Sequence, residues 1–343
     1  MPRIFLAFSA VARANYYGDR ALAGLRRIGE VILNDLERPL TSEELIAASA
    51  GCSLIVADRE TPGTAELFRG SPALVAFTRC AVDIRNVDVA AASDAGVLVT
   101  RAGPGFVASV AEWVIGAMID LSRGITDATI AYRAGRSVVP TMGRELGHST
   151  LGVIGYGHIG RYLCDLALAF GARVVVTDPR ATVSDQRLRQ TDLAELLAES
   201  DFVVCLAPAT AETENLMDAS RFAQMKRGAY FINASRGELV DDAALKRALD
   251  DGVISGCALD VGRAPDQKPA PELATHSNVI ATPHIGGLTP QAVEHQALET
   301  VEQAAAILAG RIPAGAVNAD RATRLESLGS GTIPNHDGPL AAR

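Results

Sequence analysis

The chain is short of cysteine, of clustered positive charge and of long apolar runs, and each shortage excludes something. Only five cysteines stand in 343 residues (Cys52, Cys80, Cys164, Cys205 and Cys257). The number is odd and no two show C-x-x-C spacing, which excludes a disulfide framework and a zinc ligand set and fits thiols kept reduced in a cytoplasm. No metal site is expected. Lys and Arg total 32 against 40 Asp and Glu, a formal net charge of -8. With no basic cluster, nothing offers nucleic acid an electrostatic footprint. No segment reaches the roughly 18 uncharged apolar residues of a membrane helix, so no membrane partner is expected. No repeat stands out beyond an alternation of short strands and helices.

What is there is a chain 48% hydrophobic, long enough for two domains with large cores. The N-terminus, MPRIFLAFSAVARA, imitates a secretory signal, but the favoured reading takes Ile4 to Phe8 as the first strand of a sheet. Through residue 100, strand patterns (Arg3 to Phe8, Ser53 to Ala57, Ala73 to Thr78, Val97 to Thr100) alternate with helical ones (Tyr17 to Ile28, Ser42 to Ala48, Val87 to Ser93). Thr41 or Ser42 is the expected cap of the second helix. Alternation of this kind predicts an α/β fold with a parallel sheet covered on both faces. A boundary is expected at Gly103-Pro104-Gly105, before a long apolar helix running to Arg123.

A second βα series begins with LGVIGYGHIG, Leu151 to Gly160. An apolar run leads into Gly155-x-Gly157-x-x-Gly160, and a helical pattern follows from Ile159. The first glycine permits a tight turn, the second lets a pyrophosphate approach the backbone, and the third lets helix pack on strand. The helix N-terminus, at His158 and Ile159, would then face phosphate with free N–H groups and a positive dipole end. His158 reads as a neutral neighbour of those phosphates. Eighteen residues past Gly160 a second strand ends in Asp178, placed to accept hydrogen bonds from an adenosine ribose and to repel a 2′-phosphate. NAD is thus favoured over NADP; Arg180, two residues on, leaves NADP as a minority reading.

Three further strand ends carry polar groups: Arg236 in Ile232-Asn233-Ala234-Ser235-Arg236-Gly237, Asp260 in ALDV, and His284 in TPHIGG. Open α/β sheets bind ligands at such ends. A histidine titrating near neutrality suits general acid catalysis at a carbonyl oxygen, and a planar guanidinium suits a carboxylate. The chemistry wanting both is hydride exchange between a nicotinamide and a 2-keto acid, with His284 as acid/base, Arg236 as carboxylate clamp and Asp260 beside the nicotinamide amide. Taken singly, Arg236 also reads as a surface arginine and His284 as a bystander.

The strings SVAEW (109 to 113), LGVIGYGHIG, INASRGELVDDAAL (232 to 245), ALDV (258 to 261) and TPHIGG (282 to 287), with Asp178, resemble the D-isomer-specific 2-hydroxyacid dehydrogenase family over roughly residues 50 to 310. The resemblance implies two Rossmann-like or flavodoxin-like domains, the cofactor domain inserted into the substrate domain. The expected partition is 1–102 for the substrate domain, 103–286 for the NAD domain, 287–320 for a helix returning to the first domain, and 321–343 for a loose tail with no regulatory domain after it. It also implies a homodimer, with the helix bearing Ala111-Glu112-Trp113 near the interface. Pro208 and Thr213 match the adenosine-side segment, and Ala234 the turn over the cofactor. Arg79 to Val82 matches a loop binding the substrate carboxylate, which nominates Cys80, Ala81 and Val82. Glyoxylate or hydroxypyruvate are the substrates it suggests. A formate or phosphite dehydrogenase and a catalytically silent NAD(H) sensor are the rival readings.

The chain also departs from the family. Where a glutamate usually partners the catalytic histidine stands Pro265; the next residue, Asp266, either takes that part or is a solvent-facing loop acid. Arg101 replaces a usual asparagine and Arg136 a common tryptophan. Each either adds positive charge near an anionic substrate or is an ordinary surface residue.

Overall fold

The computed structural model describes residues 1–264 and 266–328. The chain forms two units, Met1–Gly105 together with the segment from Pro290 onward, and Phe106–Thr289.

The first unit carries a parallel sheet of β1 (Arg3–Leu6), β2 (Glu30–Leu33), β3 (Leu54–Ala57), β4 (Ala76–Arg79) and β5 (Leu98–Arg101), in the order β2-β1-β3-β4-β5. Alternating side chains point to opposite faces. Ile4, Leu6, Leu54, Val56 and Leu98 therefore pack with helices Asp19–Ile28 and Pro290–Leu308, while Phe5, Ala7, Ile55, Phe77 and Val99 pack with Ser42–Ala48 and Ala65–Gly70. Burial on both faces is why these strands are nearly unbroken apolar runs. Thr41 is the cap of helix Ser42–Ala48, in a reciprocal box with Glu44: each side chain accepts the other's backbone N–H. Helix Pro290–Leu308 is tied in by buried polar groups. Thr300 Oγ1 pairs with Tyr17 Oη at 3.0 Å, and the Gln303 amide accepts from Thr100 Oγ1 and donates to the Arg101 carbonyl.

The expectation of a loose tail from 321 needs correcting over its described part. Thr323–Leu328 is a 3-10 segment in which Leu325 is buried, and Arg324 donates from Nη1 to the carbonyls of Ser71 and Leu74. The polar composition there conceals two apolar anchors, Ala322 and Leu325, that complete the first unit's core. Residues 329–343 lie outside the described residues.

The second unit's sheet is also parallel: β6 (Thr150–Ile154), β7 (Arg173–Thr177), β8 (Arg189–Gln190), β9 (Phe202–Cys205), β10 (Tyr230–Asn233), β11 (Gly256–Leu259) and β12 (Val279–Ala281), ordered β12-β11-β10-β9-β6-β7-β8. The order reverses between β6 and β9, the switch point at which doubly wound sheets hold dinucleotides. Val153, Val176 and Val204 on one face and Val175, Val203 and Phe231 on the other are fully buried, each worth roughly 1.5–3 kcal/mol of transfer free energy. Helix Val107–Arg123 covers one face through Ala111, Val114 and Met118 and ends at Gly124, whose φ of 61° is left-handed.

Candidate active site

In the second unit the glycine turn, Asp178, Arg236, Asp260 and His284 follow the C-terminal ends of strands of its sheet. Immediately after β6, Gly155 adopts φ 101°, and a Cβ there would meet the Leu206 carbonyl at 2.8 Å. Gly160 lies against the same turn, where a Cβ would come 2.2 Å from the Gly155 oxygen. Between them Gly157 faces open space, with nothing within 4 Å of where a Cβ would be. Helix His158–Ala169 starts there with no side chain capping it, so its first N–H groups and dipole are left for an anion. A dinucleotide's pyrophosphate fits this cradle, since any Cβ at Gly157 would occupy the approach.

Asp178, one residue beyond β7, fastens the cradle. Its Oδ2 accepts the Tyr156 N–H at 2.7 Å, and its Oδ1 accepts those of Arg180 and Ala181. Burial raises its pKa, but the three donors and the Arg180 charge outweigh that, so the carboxyl is held below the ordinary range and stays an anion. Next along the edge, Thr213 Oγ1 donates to the Pro208 carbonyl and accepts the Thr210 N–H, closing the 208–213 turn.

Arg236, Asp260 and His284 follow β10, β11 and β12, three neighbouring strands. The Arg236 turn is shaped by Asn233, almost wholly buried, whose amide nitrogen donates to the Arg236 carbonyl while its oxygen accepts the Ser235 N–H. Ser235 Oγ donates to the Ala207 carbonyl at 2.6 Å, and Arg236 Nη1 donates to the Ser235 carbonyl. Ala234 is half-buried within that turn. Nothing in the sequence alone singles out Asn233, because its partners are backbone groups of a turn not yet formed.

Asp260 organises the histidine loop. It is 3% exposed; its Oδ1 accepts from Thr282 Oγ1 at 2.6 Å and the Ile285 N–H at 2.8 Å, and its Oδ2 accepts the Gly286 N–H at 2.8 Å. Burial pushes its carboxyl up despite these donors. His284 sits inside this bracket at φ 60°, a left-handed conformation costing a non-glycine residue on the order of 1 kcal/mol. Three bonds from one carboxylate to the residues on either side hold it there. Gly286 is required by proximity, since a Cβ would lie 2.8 Å from Asp260 Oδ2 and 3.6 Å from Trp113 Cγ.

Asp266 is where the expectation of a histidine partner is corrected. Its carboxylate is exposed, pairs with Lys268 at 3.1 Å and accepts the Lys268 N–H, contacts that lower its pKa. The loop closes on itself through the Gly262 N–H to Gln267 carbonyl and Gln267 N–H to Ala264 carbonyl bonds, which turns Asp266 toward Lys268.

In the first unit the nominated substrate residues follow β4 and β5. The N–H groups of Ala81 and Val82 have no acceptor among the described residues. Cys80 is a correction: its N–H donates to the Ala57 carbonyl at 2.9 Å and its thiol is buried, with burial driving its pKa far up, so neither group is offered to a ligand. Arg101 ends β5 with an exposed side chain. Arg136 is likewise exposed. Among the described residues no helix is long and apolar enough to cross a membrane, and no three His, Cys, Asp or Glu side chains gather as a metal cage.

Residues 115–286 match the family model described as D-isomer specific 2-hydroxyacid dehydrogenase, NAD binding domain. A hydroxypyruvate reductase of Thermotoga maritima is 31% identical over 282 residues, 80% of this chain and 92% of that protein. A D-3-phosphoglycerate dehydrogenase of Rattus norvegicus is 35% identical over 289 residues, 83% of this chain, which spans only about half (54%) of that longer protein. The crystal structure of a putative D-isomer specific 2-hydroxyacid dehydrogenase from Polaromonas sp. JS6 66 superimposes with a TM-score of 0.84 at 25% identity, covering 92% of this chain and 99% of that one. With its glycine cradle, its reversing strand order and these relatives in agreement, the chain belongs to the D-isomer-specific 2-hydroxyacid dehydrogenase family and uses NAD.

Proposed function

We propose that the protein interconverts a small D-2-hydroxy acid and its 2-keto acid, with glyoxylate or hydroxypyruvate as the substrates to test first. The observation carrying this reading is the succession of Arg236, Asp260 and His284 after three adjacent strands of one sheet, next to a cradle shaped for a dinucleotide. NAD, when bound, supplies the two-electron chemistry. Arg236 binds the substrate carboxylate through its planar fork and draws charge from the neighbouring carbonyl. His284 gives a proton to the carbonyl oxygen during reduction and removes it during oxidation. Asp260 keeps the histidine's backbone fixed, and Asp178 keeps the phosphate-binding turn closed and meets the adenosine ribose. His158, Ile159, Pro208, Thr213 and Ala234 complete the cofactor contacts. Within the first unit, the backbone N–H groups of Ala81 and Val82 and the charge of Arg101 are groups of the kind that bind an anion.

The assembly proposed is a homodimer in a reducing cytoplasm. All five cysteines are free and buried. Past helix Val107–Arg123, Ile125, Ile130, Tyr132 and Met142 are at least half exposed, an apolar surface of the kind that a second copy covers.

The test is spectrophotometric. Purified protein is mixed with NADH and a panel of 2-keto acids, then with NAD and formate or phosphite, while absorbance of the reduced cofactor is followed. Turnover of glyoxylate or hydroxypyruvate is expected. Turnover of formate or phosphite alone, or NADH binding without any turnover, would overturn the proposal in favour of those activities or of a sensor. Sedimentation equilibrium tests the dimer.

A further inference from the structure

The loop after Asp260 carries an arginine that no motif in the chain points to, and its bonds gather three segments of the second unit. Arg263 Nε donates to the Val240 carbonyl at 2.9 Å, Nη2 to the Glu238 carbonyl at 2.9 Å and to Asn215 Oδ1, and Nη1 to Glu214 Oε1 at 2.7 Å. The Glu238 carbonyl also accepts the Asn215 N–H at 2.9 Å. Thus a single guanidinium spans the end of the Arg236 turn, the segment next to the 208–213 turn, and the loop leaving β11.

The packing beneath is as close as backbone permits. A Cβ on Gly237 would sit 2.1 Å from the Gly262 carbonyl carbon and 2.4 Å from the Arg263 nitrogen. Gly237 immediately follows Arg236, so the backbone bearing the expected carboxylate clamp lies directly on the backbone bearing Arg263. Asn215 is held at φ 51°, a left-handed value that favours glycine, with its side-chain oxygen on Arg263. Only a third of the Arg263 side chain is exposed. A surface ion pair contributes little stability, but four donors directed at two carbonyls, an amide and a carboxylate constrain geometry in a way a point charge cannot.

We propose that Arg263 is a positioning residue for the Arg236 turn: it fixes the direction from which Arg236 meets the substrate carboxylate and couples that direction to the neighbouring 214–215 segment. This rests on the reading of Arg236 as carboxylate clamp. The four bonds of Arg263 go to protein groups, so its proposed effect on the substrate is exerted through the turn.

The test compares wild type, Arg263→Ala and Arg263→Lys. For the alanine variant, KM for the 2-keto acid is expected to rise at least about tenfold with a smaller fall in kcat, while the NADH dissociation constant changes by less than about threefold. Lysine, retaining charge but not the fork, should rescue less than half of that loss on a logarithmic scale. A lowered melting temperature with KM and kcat unchanged, or a parallel rise in the NADH dissociation constant and KM, would overturn the proposal. Amide hydrogen exchange over residues 236–240 supplies a readout independent of turnover: the alanine variant should exchange faster there than wild type, and equal exchange would reject the positioning role. If the wild-type protein reduces no 2-keto acid, the dehydrogenase reading fails while the exchange comparison still decides whether Arg263 holds the turn.

Discussion

Replacing Asp260 is the sharpest probe of how the histidine loop is held. In Asp260→Asn the amide oxygen can still accept from Thr282 Oγ1 and the Ile285 N–H, but the NH2 is then set against the Gly286 N–H, which is buried. One stranded buried donor costs about 1–3 kcal/mol. Because the native carboxylate is itself penalised by burial, the neutral amide recovers part of this, and the lower half of that range is expected. Asp260→Ala also removes the other two bonds to a charged acceptor, each about 1.5 kcal/mol, for a total of about 4–6 kcal/mol. Water reaching Thr282 and Ile285, which are not buried, pulls that figure toward its lower end. The chain's single tryptophan, Trp113, lies against Gly286, so urea unfolding followed by its fluorescence reports on this region. Activity should fall in the same order, alanine below asparagine, as His284 loses its left-handed constraint. Stabilities of both variants within about 0.5 kcal/mol of wild type, the spread of ordinary surface substitutions, would refute the reasoning.

Three further outcomes follow from the geometry. His284→Asn tolerates the left-handed backbone and should keep its folded stability while losing on the order of 10²–10⁴ in kcat, read by steady-state kinetics beside a melting curve. Asp266→Asn should leave the pH profile of kcat/KM unchanged, because its carboxylate is exposed and engaged by Lys268; a shifted profile would restore it as the histidine's partner. Asp201 is pushed up by burial but more strongly lowered by Lys226, the Thr150 N–H and Arg144. Its folded pKa lies below the ordinary 3.8, so its contribution is complete above that value and lost as pH falls through the folded one. Melting temperatures of wild type and Asp201→Asn should therefore differ most above about pH 5 and converge in stronger acid.

The parts of the fold that were legible in the sequence were those whose side chains alternate into two buried faces or repeat at helical spacing. Strands β6, β7, β9, β10, β11 and β12 announce themselves this way, as do the glycine cradle and the acid after β7. Strand β2 escaped because it is a half-exposed edge beginning with Glu30, and β8 because its two residues, Arg189 and Gln190, are exposed and polar. Helix Ala10–Tyr16, capped by Ser9, buries no residue completely and therefore shows no clear apolar stripe. Within the candidate site, residue types at strand ends were readable because topology alone brings them to one edge. The duties of Asn233 and Arg263 were not, since they consist of bonds to backbone groups of distant turns, and the pairing of Asp266 with Lys268 depends on how one irregular loop closes.

The insertion of residues 106–289 within the first unit has a consequence for synthesis. Translation completes the second unit's chain while the first still lacks Pro290–Leu308, whose Ala297, Ala304 and Ile307 cover β1, β3 and β4. Of the two units, the one whose synthesis starts first is thus the later to acquire its full complement of residues, and one apolar side of its sheet, covered in part by helix Asp19–Ile28, waits on the ribosome for the rest of its cover.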